Sequence, residues 1–312
     1  MKKILVAGGA GFIGTNLINF LLKKGDFVIC MDNFYSSDKK NIQQFEKFEN
    51  FNFINHDIID KNFPIMHVDE IYNLACPASP PSYQKDPIFT SKTSFIGSIN
   101  LLELAVKNNS KYFFASTSEI YGDPIQHPQN ENYLGNVNPI GPRSCYDEGK
   151  RLAESITYDF HRRFNLDIKI VRIFNTYGPF MSPFDGRVVS NFIVKALKND
   201  TIEIYGDGSQ TRSFCYITDL VDGFEKLMKK QIGFSGPLNL GNDHEVTINE
   251  LAKIIIGLTN SNSRIVSKDL PLDDPKIRRP DISLANQTLS WKPKVGLQEG
   301  LLKTIDYFRK NS

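Results

Sequence analysis

The sequence predicts an α/β fold, a doubly wound parallel sheet with a smaller C-terminal lobe. Three observations carry that expectation. Strand-like and helix-like segments alternate over the first 175 residues. The strand-like segments are mostly continuous apolar runs, as strands buried on both faces are. The first run leads straight into a glycine-rich turn and an amphipathic helix.

The elements follow in order. KILVA (3–7) reads as a short buried strand, and GTNLINFLLKKG (14–25) as a helix with Leu17, Ile18, Leu21 and Leu22 on one side. Gly25 suits its C-terminal cap. FVICMD (27–32), FNFINHD (51–57) and EIYNLA (70–75) read as the second to fourth strands. TSFIGSINLLELAVKNN (93–109) has helical periodicity, and KYFFAST (111–117) is a fifth strand. CYDEGKRLAESITYDFHRRF (145–164) is a helix, with Leu152, Ile156, Phe160 and Phe164 at steps of four. DIKIVRIFN (167–175) is a sixth strand. Beyond residue 175 the regularity fades into loops such as YGPFMSPFDG and YGDGSQTRSF. Two lobes are expected, over 1–175 and 176–312, with some segments of the second returning to the sheet.

Composition narrows the function. With 37 basic and 35 acidic residues the formal charge is +2, which offers no broad footprint for nucleic acid. Cys30, Cys76, Cys145 and Cys215 lie far apart, with no C-x-x-C and no zinc spacing. No metal is expected, and the thiols read as free in a reducing compartment. MKKILVAGGAGFIG begins like a signal peptide, but glycines break its apolar run, so a buried strand explains it better. No window holds the ~20 apolar residues of a membrane span. A soluble, cytoplasmic protein without a membrane partner is expected.

Gly8, Gly11 and Gly14 give G-x-x-G-x-x-G between the first strand and the first helix. Missing side chains let the backbone approach a pyrophosphate at a helix N-terminus. Tight strand–helix packing is the plainer alternative, but the position at the head of a strand–helix series favours a Rossmann-type dinucleotide site. Asp32 ends the second strand, where a carboxylate accepts ribose hydroxyls and repels a 2′-phosphate, so the cofactor expected is NAD. Asp57 ends the third strand and either meets the adenine or caps the turn before IID. Phe12, Ile13, Asn33, Phe34, Ile58, Leu74, Ala75, Thr93 and Ala115 complete the expected cofactor contacts, with Arg187 and the pair described next.

The pattern Tyr-x-x-x-Lys occurs twice, as Tyr35/Lys39 and Tyr146/Lys150. The first pair follows Asp32 and belongs near the adenosine. The second opens a helix in the half of the sheet beside the nicotinamide. One turn puts Tyr146 and Lys150 on one face, about 5–6 Å apart at Cβ. The lysine cation and the charged ring of NAD⁺ are expected to push the phenol down from about 10 toward neutral. Tyr146 then takes a hydroxyl proton while hydride leaves the same carbon. Thr117 can bond that hydroxyl, and Ser118 and Glu119 follow it. The alternative for these three is a turn cap.

Longer segments extend the reading: ACPASPPSYQKDP (75–87), ASTSEIYGDP (115–124), NVNPIGPRSCYDEGKR (136–151), RIFNTYGP (172–179), DGRVVSNF (185–192), YGDGSQTRSF (205–214) and DDPKIRRPD (273–281). On these the chain resembles the extended short-chain dehydrogenase/reductases, the superfamily of nucleotide-sugar epimerases and dehydratases. Within it the resemblance is to the UDP-glucuronate decarboxylases. The resemblance implies oxidation of UDP-glucuronate at C4 by tightly held NAD⁺, loss of CO₂ from the β-keto acid, reprotonation at C5 and hydride return to give UDP-xylose. It implies Tyr146 as base with Lys150 its partner, Thr117 orienting the hydroxyl and Glu119 acting around decarboxylation. It puts Lys92 and Asn175 near the substrate and makes the protein a homodimer through the helices at 93–109 and 145–164. Arg212 and Arg278 then suit the diphosphate, Arg187 either ligand, and Tyr205 the uracil, with Val189 and Gln210 in the same substrate set.

Two positions depart from the pattern: Ser94 stands where the family usually has Asn, and Phe180 where it usually has Arg. No anchor precedes the glycine loop, so a soluble form is expected. A sibling 4-epimerase or 4,6-dehydratase shares the first step. The dehydratases typically carry Asp-Glu where this chain has Ser118-Glu119. A non-catalytic NAD-binding sensor is the alternative from another class, and the retained Tyr146 and Lys150 speak against it.

Overall fold

Ile4 and Val6 lie in one buried cluster while Leu5 and Ala7 lie in another, on the opposite face of their strand. That is why KILVA is apolar throughout. A computed structural model describes residues 1–64, 67–230, 233–269 and 277–311. The first half supplies β1 (Lys3–Ala7), β2 (Phe27–Asp32), β3 (Phe51–Asn55), β4 (Glu70–Asn73), β5 (Lys111–Thr117) and β6 (Ile168–Ile173). Its helices are α1 (Phe12–Lys23), α2 (Lys40–Gln43), α3 (Pro80–Lys85), α4 (Pro87–Lys92), α5 (Ser98–Asn108) and α6 (Ser144–Phe164). The second half adds β7 (Thr176–Tyr177), β8 (Ile202–Tyr205), β9 (Thr211–Ser213), β10 (Cys215–Tyr216), β11 (Leu238–Leu240), β12 (Glu245–Thr247), β13 (Ile265–Lys268) and β14 (Ile277–Arg278). Its helices are α7 (Val188–Lys198), α8 (Ile217–Met228), α9 (Ile248–Thr259), α10 (Ser283–Leu289) and α11 (Leu297–Asn311).

Seven strands form one parallel sheet in the order β11-β6-β5-β4-β1-β2-β3. The predicted doubly wound α/β class is therefore the observed one. α1 and α8 pack together on one face, α5 and α6 on the other. The strand order runs outward in both directions from β1, so the connections leaving β1 and β4 diverge and a crevice opens outside the strands' C-terminal ends. Small sheets of the second half complete the molecule: β9 lies between β12 and β14, and β8 pairs with β13.

The structure differs from the sequence reading in three places. The third, fourth and sixth strands stop earlier, at Asn55, Asn73 and Ile173, so Asp57 and Asn175 lie in the loops beyond. The helix expected at 93 begins upstream, at Pro87. Asp86 caps it by accepting from Phe89 N at 2.9 Å, Pro87 takes the first position, and Thr93–Gly97 is a π-helical turn between α4 and α5. The second half is also more regular than expected. Val189, Phe192, Ile193 and Ala196 are buried along α7 at helical spacing, a signal already present in the sequence.

Gly8 turns the chain out of β1 with φ +75°, and a Cβ there would lie 2.7 Å from the Ala75 backbone nitrogen. Gly8→Ala is expected to cost about 1–3 kcal/mol, read as a lower urea midpoint at unchanged slope.

Candidate functional site

The crevice opens into a cleft of about 1670 Å³ between the sheet's C-terminal edge and the second half of the chain. β5 delivers Ala115 and Thr117 to its floor, and α6 delivers Tyr146 and Lys150. Both α6 side chains are buried, and Lys150 Nζ donates to the Ala115 carbonyl at 2.8 Å. The Lys150 ammonium stands 5.9 Å from the Tyr146 ring centroid and 4.9 Å from that of Phe114. Thr117 hydrogen-bonds the Tyr146 hydroxyl, and Tyr83 stacks on the Tyr146 ring at 5.1 Å and 6°.

The expected low phenol pKa is not what these residues produce by themselves. Burial drives Tyr146 well above its ordinary value; the Thr117 bond and the Arg187 charge pull down, and Cys76 and Glu119 push up. Lys150 is pulled below its own ordinary value by burial, against Cys76 and Glu154. Desolvation outweighs the local cations here.

Beyond Thr117 the chain turns through a 3₁₀ segment, Ser118–Tyr121. Thr117 Oγ1 accepts from Glu119 N at 3.2 Å, so it caps this turn as well as facing Tyr146. Glu119 is ion-paired with Arg143, and Arg278 Nη2 lies 3.4 Å from the same oxygen. Burial pushes Glu119 up, but Arg278, Arg143 and Arg212 outweigh it and hold the carboxyl below the usual range. Arg278 is almost fully buried and also donates to the carbonyls of Ser118 and, at 3.0 Å, Gly122. These bonds set Arg278 beside Glu119, a contact the sequence reading did not foresee. Register explains the clustering, since Arg278 of β14 pairs directly with Arg212 of β9.

Asp147 follows Tyr146 and is 6% exposed, yet its Oδ1 has no hydrogen-bond partner. Burial, and then Glu119, push its carboxyl up to about 7 against Arg143 and Arg278.

At the other end of the cleft, Gly8, Gly11, Phe12, Ile13, Gly14, Phe34 and Leu74 line the wall. A Cβ at Gly14 would lie 2.4 Å from Gly8 O, and Gly11 begins α1 with no side-chain cap, leaving the first N–H groups of α1 for an anion. This cradle fits a pyrophosphate. Asp32 accepts from Ala10 N at 3.0 Å, Phe34 N at 2.9 Å and Ser37 Oγ at 2.8 Å. Asp57 accepts from Ile59 N at 2.9 Å, closing the turn after β3, and from Asn33 Nδ2 at 3.0 Å. Ala75 packs on Gly8, Ile58 on Gly97, and Thr93 Oγ1 donates to Phe89 O at 2.9 Å. Tyr35 lies at this end too, its ring 4.4 Å from Phe89.

Asn175, Arg187, Val189, Tyr205, Gln210, Arg212 and Arg278 all line the cleft with Ser118 and Glu119. Lys92 does not: it is exposed at the end of α4, outside the lining. Asp273 to Lys276 of DDPKIRRPD lie outside the described residues. The sequence reading gave Arg143, Tyr83 and Asp147 no part and Cys76 only that of a free thiol. All four sit inside the motifs quoted above.

The GDP-mannose 4,6 dehydratase family model matches residues 5–304. UDP-glucuronic acid decarboxylase 1 of Danio rerio is 50% identical over 99% of this chain and 73% of its own length. UDP-glucuronic acid decarboxylase 4 of Arabidopsis thaliana is 48% identical over 99% of this chain and 69% of its own. Among solved structures, the UDP-glucose 4-epimerase of Thermotoga maritima superposes with a TM-score of 0.91 at 31% identity, covering 99% of both chains. The UDP-glucuronic acid 4-epimerase of Bacillus cereus, solved with UDP-glucuronic acid and NAD, superposes at 0.89 and 28% identity, covering 99% of this chain and 100% of that one.

Asp147 ionises near its ordinary 3.8 when unfolded but only at about 7 when folded. Between those values the native state binds more protons, so this group's contribution to stability is lost as pH rises through the window. Asp147→Asn is therefore expected to gain on the parent from about pH 4 to about pH 7 and to keep a constant advantage above it. Urea denaturation across pH checks this; an advantage that grows toward low pH contradicts it.

Proposed function

The chain belongs to the GDP-mannose 4,6 dehydratase family of extended short-chain dehydrogenase/reductases, and from that premise we propose that it converts UDP-glucuronate to UDP-xylose and CO₂. The carrying observation is the half-buried Glu119 with Arg143 and Arg278 bound to it, next to Tyr146 and Lys150. A proton-handling pair alone suits any member of the superfamily. A carboxylate–arginine cluster beside it suits one that also handles a substrate carboxylate. Relatives named UDP-glucuronic acid decarboxylases at 48–50% identity over 99% of the chain support the same reading.

NAD, held on the glycine cradle and Asp32, supplies the hydride acceptor and later the hydride donor at C4. Tyr146 takes the C4 hydroxyl proton, with Thr117 holding that oxygen. The ketone formed makes the C6 carboxylate a β-keto acid. The C5–C6 bond breaks, CO₂ leaves, and the electron pair enters an enolate. Glu119, kept ionised by its arginines, acts with Arg278 around carboxylate loss and orients the water that delivers a solvent proton to C5 of the enolate. Tyr146 then returns its proton to O4. Arg212, Arg187, Gln210 and Tyr205 take the UDP portion, and Asn175 and Val189 border the sugar.

The partner is a second copy of the chain, with no nucleic acid or membrane. Leu152 (48%), Phe164 (46%) and Ile96 (37%) leave apolar surface exposed along α6 and the turn before α5. The four free cysteines support a cytoplasmic setting as part of this proposal. No helix among the described residues is long and apolar enough to cross a membrane.

Incubation with UDP-glucuronate and NAD⁺ should release CO₂ and UDP-xylose; UDP-galacturonate, or unchanged substrate, overturns the reading. Tyr146→Phe should lose turnover by roughly 10²–10⁴-fold while still binding NAD. Arg278→Ala should abolish turnover or raise KM, and unchanged kinetics would remove it from the site. Leu152→Glu should convert a dimer to monomers by light scattering.

A further inference from the structure

Contacts at the adenosine end of the cleft join into a closed ring. Asn33, in the loop after β2, donates through Nδ2 to Asp57 in the loop after β3, at 3.0 Å. Next to Asp57, the Ile58 carbonyl accepts from Asn100 Nδ2 of α5 at 2.8 Å, and the Ile58 side chain packs on Gly97 of the π-helical turn. That turn runs back into α4, which carries Phe89. The Phe89 and Tyr35 rings meet at 4.4 Å and 32°, and Tyr35 returns the path to the loop after β2. Topology gives the ring its meaning. β1 lies between β2 and β4 in the sheet. A contact from the loop after β2 to the segment after β4 therefore spans the C-terminal end of β1, where Gly8 begins the cradle. Tyr35 and Phe89 are both half-buried, and the Tyr35 hydroxyl has no hydrogen-bond partner, so this link is made by ring surface. Lys85 Nζ adds a charge 5.7 Å from the Tyr35 centroid. The reaction proposed above uses neither ring.

We propose that Tyr35 and Phe89 form a clasp across the cofactor site, two positioning residues that keep the reduced cofactor in place until its hydride has returned to C4. This rests on reading the chain as an enzyme that recycles NAD within each turnover. In such a cycle the ketone waits for the hydride that left it, so a site that lets NADH go at that stage strands an oxidised sugar nucleotide. The α4 half of the clasp is the fixed half. Thr90, next to Phe89, is fully buried, and its hydroxyl lies 3.1 Å from both the Tyr83 and the Asp86 carbonyls. Ser91 Oγ donates to the Cys145 carbonyl of α6 at 3.4 Å. Tyr83 in turn stacks on Tyr146, so the helices that carry Phe89 also brace the reacting phenol. Opening falls to the loop after β2, whose Asn33, Ser36, Asp38 and Lys39 are exposed. Two rings in contact without a polar anchor separate at a modest cost, which suits a closure that must admit the cofactor and then slow its loss.

The test follows NADH leaving the whole protein. The chain is loaded with NADH, excess NAD⁺ is added, and the decay of bound-NADH fluorescence gives the release rate with no sugar nucleotide present. Tyr35→Ala and Phe89→Ala should each speed release by roughly 2- to 10-fold, the worth of one aromatic pair. The double variant should release no faster than the faster single, because both remove the same contact. Tyr35→Phe and Phe89→Tyr keep the rings and should release NADH like the parent. Phe89→Leu keeps apolar bulk on α4 and should still release faster, which covers a Phe89→Ala that does not fold. With UDP-glucuronate, the faster-releasing variants should form more UDP-4-keto-pentose, matched by NADH in solution, at the expense of UDP-xylose. Folded variants with the parent's release rate overturn the clasp. Single effects that multiply in the double variant overturn it too, as does a parent that holds no NADH. A parent that releases no CO₂ sinks the proposed reaction, while the NADH chase still decides the clasp.

Discussion

The hydrogen bond from Lys150 Nζ to the Ala115 carbonyl, 2.8 Å long and buried, fixes where α6 starts relative to the end of β5. A lysine this deep has few ways to be satisfied, so the bond tolerates little sliding of helix on strand. One turn back along α6, that register brings Tyr146 against Thr117. Because β5 pairs with both β4 and β6, the same contact is tied into the centre of the sheet. Tyr83 closes the other side of the Tyr146 ring. The phenol is thus held by strand, helix and α3 together, and a shift in any one of them would be felt at its oxygen.

Around this fixed pair the carboxyls are driven apart. Asp147 is buried and Glu119 half-buried, and both feel Arg143 and Arg278. Glu119 has direct contact with the guanidinium groups and falls below the usual range. Asp147 has an unpartnered oxygen and rises. Two acids sharing the same cations, one ionised and one ready to hold a proton near neutrality, form an arrangement associated with proton chemistry. The cations come from residues 143, 212 and 278. Only the pairing of β9 with β14, and their approach to the end of β5, brings such distant residues together.

That distance marks what the sequence could disclose. KILVA and KYFFAST announce buried strands because each residue must meet apolar neighbours on one face or the other. GGAGFIG discloses the cradle because its glycines act through local backbone geometry. Tyr146 and Lys150 are legible for the same reason, their relation being one helical turn. Arg278 was legible as a site residue, but its contact with Glu119 was not, since nothing local says that β14 lies beside β9. Asp147 was quoted in CYDEGKR and passed over, because burial rather than spacing sets its behaviour. Lys92 was expected near substrate, yet the π-helical turn after α4 belongs to a helix that the reading began too late, and the lysine stays at the surface.

The two departures from the family pattern, Ser94 and Phe180, both lie away from the reacting groups. Ser94 lies in the π-helical turn, its hydroxyl 3.2 Å from Cys76 Sγ, and a Cβ on Gly149 of α6 would come within 3.1 Å of it. A small residue there lets α6 pack closely, and it reaches neither Tyr146 nor Glu119. Phe180 adopts φ +72°, a conformation costing a phenylalanine roughly 1–2 kcal/mol. Its ring packs 5.0 Å from that of Tyr307 on α11, a contact of about 0.5–1.5 kcal/mol beyond area burial. Asn16 of α1 also donates to the Pro179 carbonyl at 3.0 Å. The strain and the contacts are of one size, so the loop is held at little net cost. What an arginine would hold by charge is here held by an aromatic contact to the C-terminal helix, at the cofactor end of the cleft and away from the reacting groups.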